Sequence, residues 1–189
     1  MKLLIMGPPG VGKGTQAKKI IEYFNIVHIS TGSLLRDEIR KNSNIGVVAS
    51  SFIDKGRLVP DKTLLSMVKK RLSETDCDNG YILDGFPRTI DQASGLEKIL
   101  EKMGHNLDFA ISLYAEKDEL VSRLIKRGND SGRSDDNIKI IIERQKIYWE
   151  QTAPILDFYK KKNILNNING LGKINIVTKR ILKVVEKNA

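Results

Sequence analysis

Residues 2–15 read KLLIMGPPGVGKGT, a short apolar run that ends in a glycine-rich loop. From Gly7 to Lys13 the loop fits the phosphate-binding pattern G-x-x-x-x-G-K-[ST], but Gly14 stands where the pattern has a hydroxyl, and Thr15 follows one position later. Glycines let successive backbone N–H groups point at phosphate oxygens, and the N-terminus of the following helix adds its dipole. Lys13 supplies a positive charge to the outer phosphates. We therefore predict a phosphate-binding loop in which Gly14 adds an N–H group and a metal ion is positioned through water and a separate carboxylate.

Outward from this loop, short apolar stretches alternate with segments of helical periodicity. The strand-like stretches are residues 2–6, 27–30, 81–84, 109–114 and 164–168. The helical segments are residues 13–24, 31–41, a stretch containing 96–103, a stretch that begins near 120, residues 135–159 and a stretch from about 173. This alternation predicts an α/β fold with a parallel sheet and helices on both faces. Ligands of such sheets bind at the carboxyl ends of the strands, so we expect the opening loop, Ser30–Thr31 and Asp84–Arg88 to converge on one site.

Two polar segments, residues 30–59 and 127–137, are predicted to be mobile flaps on this sheet. Arg36 and Arg88 each follow a predicted strand end by a few residues. Two guanidinium groups at that edge can grip a second phosphate group, whereas either arginine alone is equally well explained as a surface ion pair.

Four further arginines surround the second polar segment. Arg123 and Arg127 are four positions apart and therefore share one helix face. Arg133 follows in a glycine-bearing polar loop, and Arg144 lies on the next helix. These charges suit a lid over a transferring phosphoryl group, since such transfer needs charge neutralisation and exclusion of water. A solvated basic helix is the alternative.

The sequence offers no convincing general base. His28 lies in a predicted strand as a satisfied core or edge residue, and His105 lies in a turn between a helix and a strand. An acceptor that is itself a phosphate anion carries no proton to remove, so it needs no base. The pattern therefore favours a nucleoside monophosphate as acceptor over a hydroxyl group or water.

The composition is that of one soluble globular domain. Hydrophobic residues make up 40% of the 189 residues, and the formal net charge is +9. Such a charge fits either a nucleic-acid binder or a protein with polyphosphate substrates, and the lack of a basic stripe interleaved with aromatics favours the second. With Cys77 as its only cysteine, the chain has no internal disulfide and no cysteine-based zinc cage, so we expect a reducing, cytoplasmic setting. No apolar run approaches the roughly 20 residues needed to span a bilayer, so no membrane partner is expected.

Together, the segments GPPGVGKGTQA, ISTGSLLR, DKGRLVPD, DGFPRTIDQA, RLIKRG and SGRSDDN resemble the adenylate kinase family. The resemblance runs from Met1 to the TAPILDFY segment at 152–159. It implies the reaction ATP + AMP ⇌ 2 ADP with Mg²⁺, in a monomeric P-loop three-layer α/β/α sandwich with a five-stranded parallel sheet. The whole chain, 1–189, would be one kinase domain, with residues 30–59 as the flap that binds the monophosphate and residues 127–137 as a short lid without zinc.

The resemblance also implies roles for particular residues. Arg123 would stack on the ATP base, Arg127 would reach the ATP phosphates, and Asp84 would orient Mg²⁺ through water. The implied ATP-binding residues are Gly10, Val11, Gly12, Lys13, Gly14, Thr15, Arg123 and Arg127. The implied AMP-binding residues are Thr31, Arg36, Arg57, Val59, Gly85, Arg88, Gln92, Arg133 and Arg144. The implied catalytic residues are Lys13, Arg88, Arg123, Arg133 and Arg144.

Base choice and metal affinity depend on three of these neighbourhoods. Thr31 can hydrogen-bond a purine edge, and the Gln92 amide can donate and accept together, so both favour adenine over the pyrimidine of a UMP/CMP kinase. Ser33 stands where the family commonly has an aspartate that orders the magnesium waters, so weaker metal affinity is expected. Arg57 stands where a lysine is common, and the effect should be mild. A UMP/CMP kinase and a non-catalytic, nucleotide-dependent binding module are the alternatives.

Overall fold

Five short parallel strands form the centre of the structure, a computed structural model that describes residues 1–131 and 134–187. The strands are β1 (Lys2–Met6), β2 (Val27–Ser30), β3 (Tyr81–Asp84), β4 (Phe109–Tyr114) and β5 (Leu165–Asn169). Every pairing is parallel, and the order across the sheet is β2-β3-β1-β4-β5. The chain leaves β1 toward one edge of the sheet and leaves β4 toward the other. The loop after β1 therefore lies at a topological switch point, where such sheets bind ligands.

Helices cover both faces of the sheet. They are α1 (Lys13–Phe24), α2 (Thr31–Arg40), α3 (Asn44–Ile53), α4 (Asp61–Leu72), α5 (Ile90–Lys102), α6 (Lys117–Ser131), α7 (Ile138–Ile147), α8 (Ile155–Lys161) and α9 (Ile174–Lys187). One buried cluster joins a face of the sheet to α4, α5 and α8 through residues such as Leu96 and Ile155. A second joins the opposite face to α1, α6 and α9 through residues such as Ile20 and Ile181. The predicted three-layer α/β/α sandwich with a five-stranded parallel sheet is confirmed.

The strand predictions succeeded because β1, β3 and β4 are buried on both faces. Their residues are almost all inaccessible to solvent, and they appear in the sequence as the continuous apolar runs that buried parallel strands require. Each predicted strand matches an observed one within about one residue at either end.

The prediction of one long helix over residues 135–159 is wrong. The structure divides this segment into a 3₁₀ turn (Ser134–Asp136), α7, a π-helical turn (Tyr148–Thr152) and α8. The Asn137 side chain caps α7 by accepting a hydrogen bond from the Ile140 N–H at 3.0 Å. Pro154 has no N–H to donate and comes directly before α8, so a new helix begins there.

Three helical elements were not anticipated, and one was underestimated. The sequence of α3, NIGVVASSFI, is apolar around most of its circumference and hides the helical period. The helix α4 and a 3₁₀ turn at Thr75–Cys77 were also missed. The predicted polar loop after Arg127 is partly helical, because α6 continues to Ser131. Arg133 lies outside the described residues. Within the parts of the chain that the structure describes, no helix is both long and apolar enough to cross a membrane.

The helices α2 and α3 form a tightly packed pair beside the carboxyl end of β2. The pair depends on Gly46, because a Cβ atom at this position would collide with the backbone carbonyl oxygen of Glu38. Ser43 caps α3 and accepts a hydrogen bond from the Gly46 N–H at 3.0 Å, which fixes the approach of the two helices.

Replacing Gly46 with alanine should therefore destabilise the protein, even though alanine favours helices. The backbone of α2 or α3 must shift to admit the methyl group, and we expect the free energy of unfolding in urea to fall by about 1–3 kcal/mol. Val47→Ala on the same helix is the control, because Val47 is 66% exposed and its truncation should change stability by less than about 0.5 kcal/mol. Equal unfolding free energies for the two variants would contradict the close contact.

Candidate active site

A cavity of about 790 Å³ opens at the carboxyl ends of β1, β2 and β3 and extends to α6 and α9. Its volume lies in the range of small-molecule binding sites. Most of the residues that the sequence singled out line its wall: Gly10, Val11, Gly12, Lys13, Gly14, Thr15, Thr31, Ser33, Arg36, Arg57, Val59, Asp84, Gly85, Arg88, Arg123, Arg127 and Arg144. The expected convergence of three strand ends on one site is therefore present in the fold.

The loop after β1 takes a conformation that side chains at its glycines would prevent. Gly10 and Gly12 have φ angles of +90° and +98°, in the region that favours glycine. A Cβ at Gly10 would also lie 2.5 Å from the carbonyl oxygen of Leu120, so the loop packs against the start of α6. Gly14 is different, since it lies in the first turn of α1, where a Cβ would be 3.5 Å from the Asp84 carboxylate. The backbone at Gly14 thus leaves an opening that faces a carboxylate.

Lys13 is held inside the loop by two backbone acceptors. Its Nζ donates hydrogen bonds to the carbonyl oxygens of Gly7 and Pro8, at 2.8 and 3.0 Å. Burial lowers the pKa of Lys13 to about 7; the carboxylate of Asp84 opposes this shift, and the nearby arginines Arg88 and Arg144 add to it. A bound anion would favour the charged ammonium form of Lys13.

Hydrogen bonds hold both the backbone and the side chain of Arg88. Its Nε donates to the carbonyl oxygen of Gly85 at 2.8 Å, and its backbone N–H donates to Gln92 Oε1 at 2.7 Å. Thr152 Oγ1 donates to the carbonyl oxygen of Arg88 at 2.9 Å. Burial, followed by repulsion from Arg144, lowers the pKa of the Arg88 guanidinium to about 10.

Two arginines on the far side of the cavity are paired with carboxylates of the 3₁₀ turn. Arg127 makes a two-pronged contact with Asp136, with both N···O distances at 2.6 Å. Arg144 lies 2.8 Å from the carboxylates of both Asp135 and Asp136, and burial lowers its pKa. Two aspartates in the predicted lid therefore hold these arginines in place.

Arg123, Arg36 and Arg57 also line the cavity. Arg123 Nε donates to Glu119 at 2.7 Å, and its Nη1 reaches the carbonyl oxygen of Gly170 at 3.4 Å. Arg36 Nη2 lies 3.4 Å from Ser33 Oγ. Arg57 is exposed at the cavity edge.

Gln92 does not reach the cavity in this conformation. The residue is fully buried, with its Oε1 bound to the Arg88 N–H and its Nε2 donating to Asp61 Oδ1 at 2.6 Å. Thr31 does line the cavity, and its hydroxyl donates to the Gly85 carbonyl oxygen at 2.9 Å, which leaves the oxygen available as an acceptor.

Asp84 is the carboxylate at the centre of the sheet edge. In the strand register it lies beside Ser30 of β2 and Ile5 of β1, and only 8% of its surface is exposed. His28 Nε2 lies 3.3 Å from Asp84 Oδ2. His28 is thus on an edge strand and satisfied, as the sequence suggested, but it also lines the cavity, which the sequence did not suggest.

These oxygens fit a magnesium ion that arrives with a nucleotide. Mg²⁺ keeps several waters and is usually held by one or two carboxylates together with substrate phosphates. Asp84 supplies one carboxylate, and the hydroxyls of Thr15 and Ser33 line the same cavity. Over residues 1–131 and 134–187, no cluster of three or more histidine, cysteine or acidic side chains forms a cage for a metal ion.

A buried parallel strand, a glycine loop and a helix that begins at a lysine define a P-loop α/β protein, and the ring of arginines marks it as one that handles phosphates. A family profile described as Adenylate kinase matches residues 5–164. The chain is 46% identical over 184 residues to an adenylate kinase of Leptospira biflexa, with 97% of this chain and 99% of the relative covered. It is 42% identical over 186 residues to an adenylate kinase of a Nocardioides strain (98% and 97% covered), and 44% identical over 186 residues to one of Bifidobacterium longum (98% and 100% covered). The chain belongs to the adenylate kinase family, which are nucleoside monophosphate kinases.

Sequence reasoning missed several residues that the structure brings to the site. His28, Asp135, Asp61 and Thr152 each contact a predicted site residue. A polar residue inside the short strand VHIS, next to the strand that ends in Asp84, was an available signal for His28. Asp61 and Thr152 are far in sequence from the residues that they contact, so no local sequence pattern could predict these contacts.

The lowered pKa of Lys13 predicts proton uptake when ATP binds. At pH 8 a group with a pKa of about 7 is mostly neutral, and phosphate contact raises the pKa, so binding should take up about one proton. Near pH 6 the ammonium is already protonated, and its contribution should vanish. Calorimetric titration with ATP in two buffers of different ionisation enthalpy measures the uptake. Lys13→Met should abolish the uptake at pH 8, and an uptake that persists in this variant would assign the proton elsewhere.

Proposed function

We propose that the chain catalyses the reversible, Mg²⁺-dependent transfer of the terminal phosphoryl group of ATP to AMP, giving two ADP. The observation that carries this proposal is the meeting of Lys13, Arg88 and Arg144 in the wall of one cavity of about 790 Å³. Their mutual influence on pKa indicates that they lie close to one another, and a transferring phosphoryl group supplies the negative charge that they lack.

The two sides of the cavity suit two nucleotides. On one side, the loop from Gly10 to Thr15 holds the ATP phosphates, while Arg123 contacts the base and Arg127 the phosphates. On the other, the AMP phosphate is bound by Arg36 and Arg88, and the base lies near Thr31 and the apolar side chain of Val59. The remaining members of the predicted AMP set are Arg57, Gly85, Gln92, Arg133 and Arg144. Arg57, Gly85 and Arg144 line the same cavity as the other proposed nucleotide-binding residues, which supports these assignments.

Catalysis in this proposal rests on positioning and charge. Lys13, Arg88 and Arg144 neutralise the phosphoryl group as it moves between the two nucleotides, with Arg123 and Arg133 completing the set. Asp84 holds Mg²⁺ through water, and the ion neutralises charge on the ATP phosphates when it is bound. The AMP phosphate is already anionic and attacks without a general base.

Closure of two segments would exclude water during the transfer. Residues 30–59, with α2 and α3, serve as the flap that covers the monophosphate, and residues 127–137 serve as a short lid. In the lid, Asp135 and Asp136 hold Arg144 and Arg127, so closure exchanges these carboxylates for phosphate oxygens. We further propose that the chain is a single, monomeric kinase domain of the cytoplasm that acts on small nucleotides and does not bind nucleic acid.

Monophosphate preference tests the proposed activity. In a coupled assay with ATP and Mg²⁺ across AMP, GMP, CMP, UMP and dTMP, we expect AMP to give a kcat/KM at least about tenfold above the others, because Thr31 offers a buried acceptor to a purine amino group. Lys13→Met is the control for contaminating kinases and should be inactive. A preference for UMP or CMP would identify a pyrimidine nucleotide kinase. ATP consumption without any monophosphate, or none with any of them, would favour a binding module.

The serine at position 33 predicts a specific magnesium dependence. Ser33 and Asp84 line the same cavity, so Ser33→Asp adds a second carboxylate to the site proposed for the metal and its waters. We expect the Mg²⁺ concentration for half-maximal rate to fall about two- to tenfold. Ser33→Asn introduces a side chain of the same size as aspartate but without its charge, so it should leave the Mg²⁺ requirement unchanged. Equal Mg²⁺ requirements for the wild type and Ser33→Asp would mean that Asp84 and the phosphates already suffice.

A further inference from the structure

The backbone of Arg88 is held on both sides by buried side chains. Its N–H donates to Gln92 Oε1 at 2.7 Å, and its carbonyl oxygen accepts a hydrogen bond from Thr152 Oγ1 at 2.9 Å. Gln92 is fully buried, and Thr152 is 9% exposed. Neither side chain belongs to the segment that follows β3 directly, so the two contacts are made by different elements, α5 and the π-helical turn.

Behind Gln92 lies a carboxylate that fixes the orientation of its amide. Asp61, the first residue of α4, accepts a hydrogen bond from Gln92 Nε2 at 2.6 Å and another from Thr89 Oγ1 at 2.8 Å. If the amide were flipped, its NH₂ group would face the Arg88 N–H and its oxygen would face the carboxylate, so both contacts would become repulsive. Asp61 therefore keeps the oxygen of Gln92 pointed at the Arg88 backbone.

The hydroxyl of Thr152 reaches Arg88 from the π-helical turn Tyr148–Thr152. In this turn the Ala153 N–H bonds to the carbonyl oxygen of Tyr148 at 2.8 Å, five residues earlier. The extra residue rotates the following side chains relative to those of α7, which carries Arg144. Single π-helical turns of this kind are common at functional sites. The turn thus connects the helix of one site arginine to the backbone of the other.

We propose that Thr152, together with Asp61 acting through Gln92, positions the guanidinium of Arg88 for the acceptor phosphate. This inference rests on the role of Arg88 in the proposed function. Arg88 and Arg144 carry like charges in a partly desolvated cavity and repel each other, and the Nε of Arg88 is held by the Gly85 carbonyl oxygen at 2.8 Å. Hydrogen bonds on both its N–H and its carbonyl oxygen restrict the backbone dihedrals and so the direction of the side chain. Thr152 and Asp61 are positioning residues, since they act through Arg88.

The first test compares two substitutions of Thr152. Thr152→Val keeps the shape but removes the hydroxyl, and we expect kcat/KM for AMP to fall about tenfold while KM for ATP stays within about twofold of wild type. Thr152→Ser restores the hydroxyl and should recover most of the loss. Tyr159→Phe is the matched control, because this buried hydroxyl on α8 has no hydrogen-bond partner among the described residues. It should leave both constants unchanged.

A double-mutant cycle separates positioning from general damage. In an Arg88→Ala background, Thr152→Val should reduce kcat/KM for AMP by less than about twofold more, because the side chain that it positions is gone. A purely structural role would give the full loss in both backgrounds and would lower the rates with ATP and AMP in parallel. Full additivity, or a Thr152→Val enzyme with wild-type constants, overturns the inference.

A second pair of variants covers the case in which Thr152→Val does not fold. Asp61→Asn keeps an acceptor for Gln92 Nε2 and should bind AMP nearly as the wild type does, whereas Asp61→Ala should weaken binding about three- to tenfold. Calorimetric titration with AMP alone measures this without turnover. Equal AMP affinity in all three proteins overturns the role of Asp61. Absent turnover in a wild-type protein that binds AMP would instead contradict the proposed reaction and leave the binding comparison decisive for this inference.

Discussion

The structure must hold three basic side chains close together although their positive charges repel one another. Lys13, Arg88 and Arg144 come from three different parts of the chain, and burial is the main cause that lowers the pKa of each. Repulsion from Arg88 and Arg144 adds to the shift of Lys13, and repulsion from Arg144 adds to that of Arg88. The carboxylates of Asp84, Asp135 and Asp136 oppose this repulsion, but Asp136 is shared with Arg127. The negative charge of a phosphate-bearing ligand would relieve this repulsion. The price of this arrangement is that the scaffold must hold like charges together when no ligand is present.

The fold meets this requirement mostly with its backbone. The parallel sheet brings the ends of β1 and β3 side by side, which places the lysine loop next to the segment that carries Arg88. Backbone carbonyl oxygens of Gly7, Pro8 and Gly85 then accept hydrogen bonds from the charged groups themselves. Neutral dipoles oriented in this way stabilise a cation without cancelling its charge, whereas a carboxylate in the same place would compete with the phosphate. Apart from Asp84, the carboxylates that face these cations lie on the turn at Ser134–Asp136, within the segment we propose as the lid.

Sequence reasoning predicted the parts of this molecule that local chemistry decides. The apolar runs of β1, β3 and β4 gave the sheet, because buried parallel strands need continuous apolar residues, and the glycine loop gave the position of Lys13. The contacts that orient these groups were out of reach. Thr152 lies 64 positions from Arg88, and Asp61 lies 31 positions from Gln92. The π-helical turn was missed for the same reason, since the sequence YWEQT is compatible with an ordinary helix and only the packing around Arg88 distinguishes the two.

Residues at the start of α9, near the end of the chain, complete the cavity wall. Gln16, in the first turns of α1, donates to the carbonyl oxygen of Ile174 at 3.1 Å and accepts from Thr178 Oγ1 at 2.7 Å, so α9 anchors the helix that follows the phosphate loop. Gly170 and Ile174 also line the cavity wall. A ribosome makes the loop first and these residues some 160 positions later, so a growing chain displays its glycine loop long before the wall behind it exists. The wall of the cavity can therefore be completed only after β5 and the start of α9 have been synthesised.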